Sequence, residues 1–303
     1  MKSKTLTANT KKKLTGMAFV LPCTIVLLLM ISFPVLQTFL FSFSKIKLPY
    51  LDLNFAWFDN FINAFSKPEI SVVIKNTIVW AVFSVSLRVL LGLSSALIMN
   101  VNVKGIKVLR VVALLPWTIP SVVSANVWRW MFQSDYGVIN GTLYALGLNK
   151  FALNWLASPK TALPSIIIAC TWMGYPFVMM MLLSAMQGLP KELYEAAEID
   201  GANRFNLFRY ITLPGIKPVL FIVLALELIS AINAFDLIFI MTGGGPAGAS
   251  EILGLFTYRL AFTNFDFGAA SAVSVVLILI AILGFCLYGI AQRLTGGKGE
   301  LNV

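Results

Sequence analysis

Apolar residues along this chain neither alternate nor keep to one helical face. They fill long stretches from which charge is missing. Residues 14–44, 161–190 and 267–292 contain no Asp, Glu, Lys or Arg, and 111–128 is a charge-free run between Arg110 and Arg129. A helix needs about 20 apolar residues to cross a hydrocarbon core, so these runs predict four spans, the 111–128 helix extending past both arginines. Two more runs carry charge: Ile70 to Asn100 holds Lys75 and Arg88, and Pro218 to Met241 holds Glu227 and Asp236. Unpaired backbone groups cannot face lipid, and no alternating barrel strands occur, so the pattern predicts an all-α integral membrane protein of six transmembrane helices. The expected organisation is a polar, mobile N-terminal tail (1–16), a membrane domain (17–293) and a C-terminal tail (294–303). Pro34 predicts a kink in the first span.

Composition agrees. Hydrophobic residues make up 58% of the chain and charged ones 12%, about half the charge of a soluble domain, and mean hydropathy is +0.85. Soluble enzymes are excluded. The first span resembles a signal peptide only in its preceding lysines, because its apolar run far exceeds an h-region of about 7 to 15 residues. Histidine is absent, and Cys23, Cys170 and Cys286 lie far apart in apolar stretches, so no metal cluster or disulfide framework is offered.

The net charge of +10 would suit nucleic acid, but the cations flank spans rather than lining a soluble face, and no nucleic-acid partner is expected. With the N-terminus inside, fourteen basic residues fall on the cytoplasmic side, including Lys11, Lys12 and Lys13 beside the first span, and eight fall outside. The positive-inside rule favours that orientation, and an even span number places both termini in the cytoplasm.

One inner connection is long. Residues 188–214 carry Glu192, Glu195, Glu198, Asp200 and three basic residues, with a fourth, Lys217, just beyond, too much charge to enter lipid. Pro190 suits a first helical turn, the early acids suit its dipole, and Gly201 can end the helix in a left-handed conformation. A second helical stretch through Phe205, Leu207, Phe208 and Tyr210 runs to Leu213-Pro214, giving a helix-turn-helix. Its apolar side, with Leu193, Ala196, Ala197 and Ile199, faces either its own bundle or a partner.

Glu195-Ala196-Ala197, three residues, Gly201, nine residues and Ile211-Thr212-Leu213-Pro214 together resemble the EAA loop of importer-type ABC permeases. The likeness extends to Leu115-Pro116-Trp117, Trp128-Arg129-Trp130, Trp172-Met173-Gly174-Tyr175-Pro176 and Met241-Thr242-Gly243-Gly244-Gly245-Pro246, as in the carbohydrate-uptake branch and its maltose-type first permease subunit. This resemblance implies that the loop couples to an ATPase through Glu195, Ala196, Ala197 and Gly201. It implies a second homologous permease subunit, two ATP-binding subunits holding ATP and magnesium, and an extracytoplasmic solute-binding protein, all at the cell membrane of a prokaryote. The chain has no G-x-x-x-x-G-K-[ST] of its own, so no cofactor and no enzyme activity are expected of it.

Two helix faces are candidates for a translocation path. Glu227, Ser230, Ala231 and Ala234 follow i, i+3, i+4, i+7, as do Cys170, Met173, Gly174 and Phe177. Each face suits helix packing as well as solute. In maltose-type permeases sugar lies against the corresponding positions, so the resemblance implies that Cys170, Met173, Gly174, Phe177, Glu227, Ser230 and Ala231 line the path. Cys and Met stand where a sugar site might supply amides, which leaves the sugar unspecified. Arg88 either pairs internally or snorkels, and Glu227 faces either Arg88 or solute. The expected solute is a sugar, an oligosaccharide by resemblance, with glycerol phosphate or another small polar solute as the alternative. A secondary transporter should show inverted repeats and broken half-helices, and an intramembrane hydrolase should show paired acids or a Ser-Lys constellation. The sequence displays neither.

Overall fold

The computed structural model describes residues 8–47, 52–101 and 103–294. Helices dominate: α1 (Ala8–Ser42), α2 (Asp59–Phe65), α3 (Ile70–Met99), α4 (Ile106–Thr118), α5 (Ser121–Met131), α6 (Val138–Ala145), α7 (Ala162–Gln187), α8 (Lys191–Ile199), α9 (Arg204–Leu207), α10 (Leu213–Ile232), α11 (Asp236–Met241), α12 (Leu253–Tyr258) and α13 (Phe267–Leu294). Two short strands, β1 (Ser44–Lys47) and β2 (Asp52–Phe55), pair antiparallel with Ser44 opposite Phe55. This hairpin is the exception to the all-helical expectation. Among the described residues five helices are long and apolar enough to span a membrane, and a sixth span results if α4 and α5 count as one.

Four details differ from expectation. The lead-in expected as a polar tail is helical from Ala8. Residues 1–7 and 295–303, the remainder of the expected tails, lie outside the described residues. The third span is bent by 92° between α4 and α5. Its cause is local: Pro120 has no N–H to donate and holds Ile119 in an extended conformation, with ψ of 130°. The fifth span also breaks, after Ile232, and resumes as α11 at Asp236. Finally, the second arm of the predicted helix-turn-helix does not stop at Leu213-Pro214. From Arg204 it passes through a π-helical turn, Phe208–Thr212, directly into α10.

The chain forms two compact units. One comprises the residues up to Phe65 together with 260–275. Here α1 leaves every described side chain from Thr15 to Leu36 exposed, as a helix clad in lipid or partner surface would. Buried Asn60 donates to the carbonyls of Phe41, Ser42 and Ser44, which anchors α2 beneath the hairpin. The same amide occupies the space a Cβ at Gly268 would need.

The other unit, 66–259 with 276–303, holds two hydrophobic clusters. Around Met179, Leu182, Ile216 and Val223, α7 packs on α3 and α10. Gly92 allows the closest approach, since a Cβ there would meet Val178 and the Met179 backbone. Around Trp80, Ile166, Cys170 and Ile238, the second core joins α3, α5, α7, α10 and α11. The two broken spans meet here.

Candidate functional site

At the breaks the chain leaves a cleft of about 570 Å³, lined mainly by α3, α4, α7 and α10 and the start of α11. Backbone that stops being helical at membrane depth is tolerated where it is buried in protein or lines a polar cavity. The second applies here: Asn233, Ala234 and Phe235 of the fifth-span break line the cleft, as does Ser121 just past the third-span break. Ser121, the first residue of α5, donates its hydroxyl to Asp236 Oδ2, the first residue of α11, at 3.1 Å. The Ala231 carbonyl near the end of α10 accepts from Trp80 Nε1 at 3.1 Å as well as from the Ala234 N–H at 3.4 Å, which ties the end of α10 to α3.

Six of the seven residues expected on the path border this cleft: Cys170, Met173, Gly174, Phe177, Glu227 and Ser230. Ala231 does not. It is 3% exposed and packs in the core behind the cleft, because at i+4 from Glu227 it lies on the flank of the helix face that turns toward α3. Trp80, Arg88, Trp117, Ser121, Asn233, Phe235 and Asp236 also line the cavity. Periodicity within one helix misses these, since Trp80, Arg88 and Trp117 come from neighbouring helices and the others from the breaks.

The wall carries a three-residue polar knot. Arg88 Nη1 donates to Glu227 Oε2 at 2.6 Å, Nη2 to the Cys170 sulfur, and Nε to the Cys170 carbonyl at 3.2 Å. Side-chain exposure is 12% for Arg88 and 5% for Glu227, so the pair is well shielded. The internal pairing of Arg88, one of two readings open in the sequence, is what the structure shows. Gly174 has a specific reason to be glycine. A Cβ there would overlap the Arg88 guanidinium and its Cδ, so the room that Gly174 leaves is filled by Arg88. Trp117 and Phe177 flank the same cavity with ring centroids 6.0 Å apart.

At the other candidate site, α8 ends as predicted. The Ala202 N–H bonds the Ala197 carbonyl and the Gly201 N–H bonds that of Glu198, with Gly201 at φ of +81°. This is the Schellman arrangement that favours glycine at the left-handed position. Nothing lies within 4 Å of where a Gly201 Cβ would stand, so its constraint is conformational, not steric. Asn203 Oδ1 accepts from the Asn206 N–H and starts α9. Tyr194 and Thr212 share a hydrogen bond of 3.0 Å that ties α8 to the π-helical turn below α10. Glu195 and Ala196 are exposed and Ala197 is partly so. Leu193, Ile199, Phe205 and Tyr210 are more than half exposed, an apolar surface that the described chain leaves uncovered.

The loop after α11 is held internally. Arg259 makes a two-pronged ion pair with Glu251, Nε at 2.7 Å and Nη2 at 3.0 Å, and reaches Glu69 at 3.4 Å. The Glu251 hydrogen bonds raise the Arg259 pKa above its ordinary value. Asn76 Nδ2 donates to the carbonyls of Gly248 and Glu251. Gly243, Gly244 and Gly248 all take positive φ, so the glycines of this turn are required by its path.

Comparison with known proteins places these features in a family. A family model described as the inner membrane component of binding-protein-dependent transport systems matches residues 88–296. The trehalose/maltose transport system permease protein MalF of Thermococcus litoralis is 38% identical over 270 residues, 89% of this chain and 90% of that protein. The sulfoquinovosyl glycerol transport system permease protein SmoG of Agrobacterium fabrum is 30% identical over 277 residues, 91% of this chain and 89% of that protein. A chain in the crystal structure of a bacterial alginate ABC transporter, in complex with alginate pentasaccharide-bound periplasmic protein, shares the fold. Its TM-score is 0.85 at 24% identity, over 96% of this chain and 98% of that one.

Proposed function

Since the chain belongs to the family of inner-membrane components of binding-protein-dependent transport systems, we propose that it is a sugar permease subunit whose solute passes through the cleft between the broken spans. The observation that carries this reading is the cleft itself. It combines carboxylate, hydroxyl and amide groups with the Trp117 and Phe177 rings, the mixture of acceptors and flat apolar surface that a sugar ring fits. The relative at 38% identity is named for trehalose and maltose transport, which supports an uncharged oligosaccharide over glycerol phosphate.

The chain carries out no hydrolysis in this reading. ATP and magnesium belong to two partner subunits, which dock on the loop 188–214 through Glu195, Ala196, Ala197 and the exposed apolar residues around them. Their closure is transmitted along Arg204–Ile232, a helical path that leads from the docking loop to the cleft wall. A second homologous permease covers the open side of the cleft, and an extracytoplasmic binding protein delivers the sugar. The assembly sits in the cell membrane of a prokaryote with both termini of this chain in the cytoplasm.

Copurification from native membranes, followed by uptake assays in proteoliposomes, tests the proposal. The expected result is a complex with a second permease and an ATPase pair, importing sugar only with ATP and binding protein present. A lone chain active without ATP overturns it. Reporter fusions after Asn149 and Asn203 should report outside and inside respectively, and the reverse pair overturns the orientation.

A further inference from the structure

Three charged residues line the cleft: Arg88, Glu227 and Asp236. They are not equivalent. Arg88 commits Nη1 to Glu227, Nη2 to the Cys170 sulfur and Nε to the Cys170 carbonyl, and the glycine at 174 keeps its guanidinium seated against α7. The one cation is thereby neutralised by a carboxylate within ion-pair distance. Among the described residues Asp236 has no ion-pair partner. It is exposed at the start of α11, and its hydrogen bond is to the neutral hydroxyl of Ser121. Counting the lining charges therefore leaves a residual charge of minus one, fixed at the break in the fifth span.

From this we infer that Asp236 sets the charge selectivity of the cleft, admitting uncharged or cationic polyhydroxylated solutes and repelling anionic ones such as uronates and sugar phosphates. The inference rests on the reading of the cleft as the solute path and adds to it a class of solute and a residue. Ser121 is its positioning residue: the hydroxyl fixes the carboxylate across the gap between the two broken spans. Neutral sugar hydroxyls donate to a carboxylate, whereas an anionic solute meets like charge on this wall, where the one described lining cation, Arg88, is already paired. Such fields are strongest in a narrow cavity with low-dielectric walls.

Charged thiol reagents read that field without knowledge of the sugar. In the assembled transporter, with Cys23, Cys170 and Cys286 replaced by serine, Ser230→Cys supplies an exposed cleft thiol. Its reaction rates with the cationic methanethiosulfonate ethyltrimethylammonium and the anionic methanethiosulfonate ethylsulfonate are compared, each normalised to a free thiol. The cationic reagent should be favoured on the order of tenfold. Asp236→Asn should remove most of that preference, and the preference should weaken with salt. A ratio near one, or one that Asp236→Asn leaves unchanged, overturns the inference. Protection by a neutral disaccharide separates the two levels of the argument. If the disaccharide slows labelling while the ratio is near one, the charge inference alone falls. If the ratio is as expected but no disaccharide or sugar phosphate slows labelling in any nucleotide state, the path reading falls and takes the selectivity inference with it.

Discussion

Replacing Glu227 by glutamine is the sharpest perturbation this structure offers, because it alters one charge and almost no volume. The carboxylate is shielded at 5% exposure and bonded to Arg88 at 2.6 Å. Removing its charge leaves a guanidinium in the cleft wall without its counter-ion, held by the Cys170 sulfur and carbonyl and a neutral amide oxygen. Breaking one side of a buried pair typically costs about 3 to 5 kcal/mol, a large share of the roughly 5 to 15 kcal/mol that separates folded from unfolded states. Glutamine keeps one acceptor oxygen toward Arg88, so the lower end of that range applies.

Arg88→Gln breaks the same pair from the other side and should lower abundance as well. The double variant removes both charges and should recover most of the loss. Membrane abundance and thermal unfolding of the solubilised assembly, measured for both singles and the double, give a coupling energy of about 2 kcal/mol or more if the pair is structural. Full abundance of Glu227→Gln with impaired uptake, unrescued by Arg88→Gln, would refute the reasoning and make Glu227 a direct solute contact.

Hydrophobic runs alone revealed the class of the protein and the position of its spans, because a membrane leaves few alternatives for a charge-free stretch of twenty residues or more. The α8 helix and its glycine stop were equally legible, being local: Pro190, the acids of the first turn and Gly201 act within about ten residues. What was not legible was non-local. The break before Pro120 had a visible cause, yet the length of the charge-free run argued for continuity. The break at Asn233 to Phe235 has neither proline nor glycine to mark it. Broken helices were expected of a different transporter class, and their presence here shows that they follow from lining a cavity, not from one mechanism of transport. Arg88 illustrates the same limit, since its partners stand 82 and 139 residues away. Nothing in the sequence around position 88 or 174 says that the two fill one space.

Gly201→Val should uncouple ATP hydrolysis from uptake while preserving membrane insertion, whereas Gly201→Asn should retain most activity. The site has open space and lacks only a residue that tolerates φ of +81°, so a strain of about 1 kcal/mol or more falls on the branched side chain. Equal loss in both variants would mean that the missing side chain itself, not the backbone, is what a partner recognises. Gly174→Ala tests the cleft wall from the opposite helix. Its methyl group enters the volume of the Arg88 side chain, so the guanidinium must leave Cys170 and strain its bond to Glu227. The expected defect therefore matches that of Glu227→Gln in direction and size, a fall in abundance and in unfolding temperature. It should also depend on Arg88. In an Arg88→Gln background the side chain is shorter and the methyl group has space, so Gly174→Ala should cost well under half of what it costs alone. If the two substitutions add independently, Gly174 is an ordinary packing glycine and Arg88 does not owe its place to it.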